Sequence, residues 1–292
     1  MEKGEMAMER YLSFADIKKM LGERPADSHK GKNGRGLLLA GSPGFGGAAV
    51  MASAAALRGG VGTLKVLCPE AIRPAFSVLP EAMVQTFPGG WDALPPERLQ
   101  SMLRDADCVA AGPGIGKRDG VWQAIRTVLS HKKKTVLDAD ALNVLSCTEN
   151  AMDALHPDVI LTPHIGEMAR LTGLTSKAIA ADMPACATHY AKEWGCTVLL
   201  KSAQSVIAAS SGQYRINRTG NAGLAKGGSG DVLTGITLSM LGQGLPPFEA
   251  ACAGAYLLGA SADEAVTILK ERMLMAGDVI GMVEQTVGRT RL

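Results

Sequence analysis

The chain lacks every pattern that would export it or place it in a membrane. Its opening stretch, "MEKGEMAMERYLSFADIKKML", mixes acids through its length without an apolar signal core, and no uninterrupted apolar run reaches spanning length. None of the six cysteines (Cys68, Cys108, Cys147, Cys186, Cys196, Cys252) falls in a CxxC pair, and no paired Cys/His spacing suits zinc. Most have apolar neighbours and read as buried free thiols in a reducing compartment. A charge excess is missing too: the net charge of +2 gives no electrostatic case for nucleic acid. The one basic cluster, His131-Lys132-Lys133-Lys134, ends a helical pattern, where cations suit the helix dipole. No linker and no fixed-period repeat breaks the chain. The expectation is a cytoplasmic protein with neither membrane nor nucleic acid as partner.

What is present is a compact α/β pattern. With 292 residues and 47% hydrophobic content, the chain suits one large domain, read as residues 1–292 with a leader helix at about 13–21. β-like runs ("GLLLAG", "GTLKVLC", "AMVQTF", "DCVAAG", "TVLDAD", "DVILTP", "TVLLKS") alternate with helical stretches such as Glu97–Ala106, Val121–Lys134 and Pro184–Trp194. Such alternation implies right-handed crossovers and a mainly parallel central sheet with helices on both faces. "SVIAASSGQYRIN" reads as an edge hairpin, and the chain is almost all helix from Gly230 onward.

Parallel sheets bind ligands beyond the carboxyl ends of their strands. Here those ends carry "GSPGFGG", "GPGIG", "DADALN", "TPHIGE" and "KSAQS", glycine-rich or polar segments that let a backbone approach a ligand. The sharpest signal is "KGGSGDVLTG". Gly227 to Gly230 open a helical stretch, with Ser229 available as its cap, and a helix N-terminus with tilted N–H groups suits a phosphate. Asp231 follows at once. It reads either as an ordinary first-turn acid or as a base for a hydroxyl attacking that phosphate. Neither the Walker A motif nor the dinucleotide fingerprint fits these glycines.

"GGSGDVLTG" resembles the anion hole and catalytic Asp of ribokinase-like kinases. Together with "HKGKNGRGLLLAGSPGFGGAAVMASAAALRGGVG", "AGPGIG", "VLDADALNVL", "LTPHIGEMARL" and "LLKSAQSVIA", it resembles the ADP/ATP-dependent NAD(P)H-hydrate dehydratases over about residues 29–263. The resemblance implies repair of the S epimers of NADHX and NADPHX, hydrated reduced cofactors, with ADP or ATP consumed, AMP and phosphate released from ADP, and Mg2+ required. It makes Asp231 the base. Ala40, Gly114 and His164 would line the NAD(P)HX side. Lys201, Ser202, Ala203, Gln204, Ser205, Gly228, Ser229 and Gly230 would hold the nucleotide and its transferred phosphoryl group. Glu167 would act on the metal through water, or serve as a first-turn acid. Asp138 would have a supporting role, and "DAD" suits either a magnesium-side pair or a cap for the helix at Ala141. A standalone dehydratase and a homotetramer are expected. The alternatives are a kinase of the same superfamily, acting on a hydroxymethylpyrimidine, a thiazole alcohol or a sugar, and a nucleotide sensor without catalysis.

Overall fold

The protein is described here from a computed structural model covering residues 10–117 and 120–290. Nine strands form one sheet: β1 (Arg35–Leu39), β2 (Thr63–Pro69), β3 (Met83–Phe87), β4 (Cys108–Ala111), β5 (Lys134–Leu137), β6 (Val159–Leu161), β7 (Thr197–Leu200), β8 (Ser205–Ala208) and β9 (Tyr214–Asn217). Their order is β3-β2-β1-β4-β5-β6-β7-β8-β9. Every pairing from β3 to β7 is parallel, and β8 and β9 add the antiparallel edge hairpin that the sequence suggests.

The central strands are buried on both faces, which is why they read as continuous apolar runs rather than alternating ones. Leu38 and Ala40 face one core and Leu37 and Leu39 the other. The first core is covered by α1 (Phe14–Leu21), α2 (Gly46–Arg58), α9 (Ser229–Gly242), α10 (Pro247–Ala265) and α11 (Ala276–Thr290). The second is covered by α3 (Pro96–Asp105), α4 (Val121–Ser130), α5 (Asp140–Cys147), α6 (Ile165–Thr172), α7 (Ser176–Ala181) and α8 (Met183–Glu193).

One boundary differs from the sequence reading. α4 ends at Ser130 rather than Lys134, because Lys132 takes a positive φ and Lys134 opens β5. The Lys134 ammonium donates to the carbonyls of Gly244 and Leu245, beyond the far end of α9, so one member of the basic cluster is occupied by backbone. The leader helix is present as α1, closed by a capping box between Ser13 and Asp16.

α9 is buried on all sides from Val232 to Gly242. It fits because α2, "GGAAVMASAAALR", presents small residues along its length. At Gly235 the two backbones nearly touch: an added Cβ would run into the Ala52 carbonyl and lie 2.8 Å from the Ala55 Cβ. Gly235→Ala is therefore expected to destabilise by about 1–3 kcal/mol, the usual range for overpacking, although alanine favours helix. A lowered urea midpoint checks this; an unchanged or raised midpoint would show that α2 and α9 can part without cost.

Candidate active site

The polar strand ends gather along one edge of the sheet because β1, β4, β5, β6 and β7 are neighbours in it. Backbone and side-chain bonds stitch adjacent loops together. The Gly41 N–H donates to the Pro113 carbonyl, and the Ser42 hydroxyl to that of Gly114. The Gly116 N–H donates to Asp140, and the Lys201 N–H to the Pro163 carbonyl. Gly114 takes φ +59° and packs against Phe45 and Ala48, so a side chain there would collide with the preceding loop. Ala40 is fully buried in the core, and the exposed surface beside it is made by the loop that follows, including Phe45 at 62% exposure.

Asp138 and Asp140 leave β5 in different directions because Ala139, between them, adopts φ +50° and ψ −118°. That conformation is rarely populated by an L residue and costs on the order of 1–3 kcal/mol. The turn does not use Asp138 as a side-chain cap for α5. Its carboxylate instead accepts from the Lys201 ammonium at 2.7 Å and from the Thr234 hydroxyl at 2.8 Å. Thr234 lies three residues after Asp231, on the same side of α9. It is a site residue that the sequence reading missed, and the helical i, i+3 spacing is the signal that points to it. Gly112, at φ +134°, lets the neighbouring loop press against the Asp138 carbonyl.

His164 and Glu167 cap α6 reciprocally. The His164 Nδ1 accepts from the N–H groups of Gly166 (3.0 Å) and Glu167 (3.3 Å), and the Glu167 carboxylate accepts from the His164 N–H at 2.8 Å. Lys201 Nζ lies 3.7 Å from the same carboxylate, and His164 Nε2 lies 3.4 Å from its other oxygen. Glu167 is thus the first-turn acid the sequence allowed and also part of a buried charge cluster. Lys201 is the cation of that cluster. Burial opposes its charge, but Asp138 and Glu167 outweigh burial and hold the ammonium above its usual value. Removing one partner of such a buried pair leaves an uncompensated charge, at about 3–5 kcal/mol. Beyond Lys201, the exposed turn Ser202–Gln204 is fixed by its own hydroxyl bonds: Ser202 to the Gln204 carbonyl (3.0 Å) and Ser205 to the Ser202 carbonyl (3.1 Å).

α9 enters this cluster with its N-terminus open. The cap is Gly228 at φ +99°, and Ser229 is already the first helical residue; no side chain caps the helix. The first amides are therefore left for a ligand, contrary to the expectation that Ser229 satisfies them. The glycines differ in what they require. Gly227 has open space around it. A Cβ at Gly228 would lie 2.7 Å from the Met51 sulfur and 2.9 Å from the Ala276 Cβ, besides the strained φ. A Cβ at Gly230 would make only ordinary contacts, 3.5 Å from Asp138 Oδ2 and 3.7 Å from Lys201 Nζ.

Asp231 completes the set. Asp138, Asp140 and Glu167 all accept hydrogen bonds, whereas none of the described residues donates to the Asp231 carboxylate. Burial, followed by the negative charge of Asp138, pushes its pKa up to about 7, against the opposing pull of Lys201. Such a carboxyl can release and accept a proton near neutrality. Among the described residues, no three His, Cys, Asp or Glu side chains are grouped as a metal site. Glu167 is already engaged by His164 and Lys201, so a divalent ion would reach it through water at most.

Comparison with known proteins gives the family of the chain. A family described as NAD(P)H-hydrate dehydratase matches residues 36–278. A bifunctional NAD(P)H-hydrate repair enzyme of Moorella thermoacetica is 41% identical over 93% of this chain and 52% of its own length. The chain thus spans about half the length of such bifunctional relatives. An ADP-dependent (S)-NAD(P)H-hydrate dehydratase of Neisseria meningitidis serogroup B is 38% identical, with 88% of this chain and 86% of the relative aligned. The crystal structure of the ADP/ATP-dependent NAD(P)H-hydrate dehydratase of Bacillus subtilis superposes with a TM-score of 0.84 at 33% identity, covering 96% of this chain and 98% of that one. Matched in sequence over nearly its whole described length and in its ribokinase-like fold, the chain belongs to the NAD(P)H-hydrate dehydratase family.

Proposed function

We propose that this chain is a dehydratase of the S epimers of NADHX and NADPHX, driven by ADP, with AMP and phosphate as the other products. One observation carries the reading: Asp231, to whose carboxyl no described residue donates and whose pKa is about 7, stands at a helix N-terminus that no described side chain caps. The hydroxyl on the hydrated ring loses its proton to Asp231 as its oxygen attacks the terminal phosphorus of ADP. The bond to the bridging oxygen breaks and AMP leaves. The amides at Gly228–Gly230 face the charge that gathers on the transferred group. The ring now carries phosphate in place of hydroxide, a far better leaving group. The ring nitrogen pushes phosphate off, and the adjacent carbon gives up a proton to restore the reduced cofactor. Lys201 donates to Asp138 and stands beside Glu167, and burial, followed by the negative charge of Asp138, raises Asp231 into the useful range.

The B. subtilis relative was co-crystallised with ATP and Mg2+. Magnesium here would ride on the nucleotide phosphates with Glu167 behind a water, and would supply further neutralisation of phosphate charge. Ser202, Ala203, Gln204 and Ser205 form the rim turn offered to the nucleotide, while His164 and Gly114 edge the NAD(P)HX side. A homotetramer in a reducing cytoplasm completes the reading. The cysteines are free, and no helix among the described residues is long and apolar enough to cross a membrane.

Asp231→Asn tests the base. With nucleotide saturating, recovery of NADH from NADHX is expected to fall by at least about 100-fold, the low end of general-base effects. Retention of most of the rate would remove Asp231 from the chemistry. Release of a stable phospho-ester in place of inorganic phosphate would favour a kinase instead.

The same residue makes a stability prediction of definite sign. The folded-state pKa of about 7 lies above the ordinary aspartate value of 3.8, so ionising Asp231 opposes folding. That penalty is absent below about 3.8, grows between the two values and is full above about 7. Asp231→Asn is therefore expected to melt above wild type at pH 8, with the gap closing as pH falls towards 4. A gap independent of pH would place the Asp231 pKa in the ordinary range.

Gly230→Ala separates ligand space from folding space. The methyl has room in the protein and improves helix propensity, but it stands beside Asp138 and Lys201 where the phosphoryl group would pass. Unchanged or raised Tm with at least about a tenfold loss of turnover is expected, a modest share of what an oxyanion site contributes. Turnover within about twofold of wild type would move the phosphoryl group elsewhere.

A further inference from the structure

The anion hole hangs on a loop, residues 218–228, that joins β9 to α9. Its two halves are held very differently. Ala225, Lys226 and Gly227, next to the hole, form an exposed run, whereas Thr219, Gly220, Asn221 and Gly223 before them are half-buried or buried. The first half is bolted to α10. The Asn217 amide donates to the Ala255 carbonyl at 3.1 Å, and the Thr219 hydroxyl donates to the Tyr256 carbonyl at 3.0 Å. α10 has glycine at Gly259, where any side chain would strike Thr219.

The last bolt is a carboxyl group and sits where the anchored half ends. Asp263 on α10 accepts from the Gly220 N–H at 2.8 Å and from the Asn221 side-chain amide at 3.0 Å. The Asn221 carbonyl oxygen then accepts from the Gly223 N–H at 3.0 Å and caps the short turn Ala222–Leu224. Gly223 is buried; a Cβ there would lie 2.7 Å from Leu274 and 2.9 Å from the Glu271 carbonyl. Four groups, Asp263, Gly220, Asn221 and Gly223, thus form one continuous chain of bonds. Each of the three bonds pairs one donor with one acceptor, with the two carboxylate oxygens assigned to different partners. Beyond this point the described hydrogen bonds from the loop to the rest of the fold are few. The Lys226 ammonium donates to the Arg272 carbonyl, and the Val232 N–H closes the first turn of α9 on Gly228.

We propose that Asp263 is a positioning residue for the phosphoryl site: through Asn221 and Gly223 it fixes where the phosphate loop begins, and so holds the amides at Gly228–Gly230 in place before any ligand arrives. The physical reason is preorganisation. Amides that already point at the ligand need no ordering when it binds, whereas a loop released at Gly220 must be ordered by the ligand itself. Asp263 does not touch the reacting atoms. Its effect is expected in nucleotide binding and turnover rather than in the affinity for the hydrated cofactor. The identity of the ligand rests on the function proposed above, but the latch does not.

A reciprocal exchange tests it. In Asp263→Asn the new amide faces the amide of Asn221, donor against donor. In Asn221→Asp two carboxylates face each other. In the double variant all three bonds can re-form. The amide introduced on α10 accepts from the Gly220 N–H and donates to the carboxylate introduced on the loop, and that carboxylate accepts from the Gly223 N–H. Each single variant is expected to lose roughly 10- to 100-fold in ADP affinity and in turnover, the effect of an unmet bond to a charged group. The double variant should return to within about threefold of wild type, as coupled neighbours do. Amide hydrogen exchange at Gly220 and Gly223 in the ligand-free proteins should speed up in each single variant and slow again in the double. Single variants that bind ADP like wild type would overturn the proposal. So would a double variant no better than the worse single, whether the loss lies in binding or in folding. If wild type fails to recover NADH from NADHX, the functional reading falls while the exchange and ADP-binding results still decide the latch.

Discussion

The site depends on one buried cation. Lys201 is the ammonium set among Asp138, Glu167 and Asp231, and its 2.7 Å bond to Asp138 joins the ends of β5 and β7 across β6. Without it three acidic side chains would be left close together with no cation among them, and such like charges repel. With it the charge is unevenly shared. Asp138 and Glu167 stand nearest the cation and accept the hydrogen bonds, and Asp231 is left to burial first and to the negative charge of Asp138 second. A base near neutrality is thus a product of the whole cluster rather than of the residue that carries the proton.

This arrangement needs backbone in unfavourable places. Ala139 holds a conformation that suits glycine, so that neighbouring aspartates serve different loops. Gly112 and Gly114 let those loops lie against one another. α9 reaches the cluster only because α2 is small enough to let it sit fully buried, and because its cap is a glycine in the left-handed region. The fold accepts these local costs where the loops meet and recovers stability from two cores that cover both faces of the sheet.

The glycine run shows why one residue type can mean three things. Gly227 faces open space, Gly228 is required by φ and by Met51, and Gly230 leaves room beside Asp138 and Lys201. Folding therefore constrains Gly228, whereas at Gly230 the constraint comes from the ligand side. The same holds for acids. Asp231 and Asp263 both lie on helices that follow the phosphate loop or flank it, yet no described residue donates to the carboxyl of the first, whereas that of the second accepts two hydrogen bonds from the loop.

The sequence by itself determined the architecture. Strand and helix patterns depend on local periodicity, and continuous apolar strands mark a sheet covered on both faces, so the mainly parallel sheet and the edge hairpin were legible from composition and spacing. It also marked the strand ends and Asp231, because glycines before a helical pattern are a local signal. Partnership is not local. Lys201 and His164 sat in the chain as polar residues at strand ends, and Asp138 as a possible cap. Which of these roles each one filled depended on side chains elsewhere in the fold, for Lys201 and Asp138 dozens of residues away. Thr234 bonding Asp138, Ser229 yielding the cap to Gly228, and Asp263 latching Asn221 were decided only by tertiary structure, since a hydrogen bond or a burial-driven pKa is fixed by distance in space and the sequence records only distance along the chain.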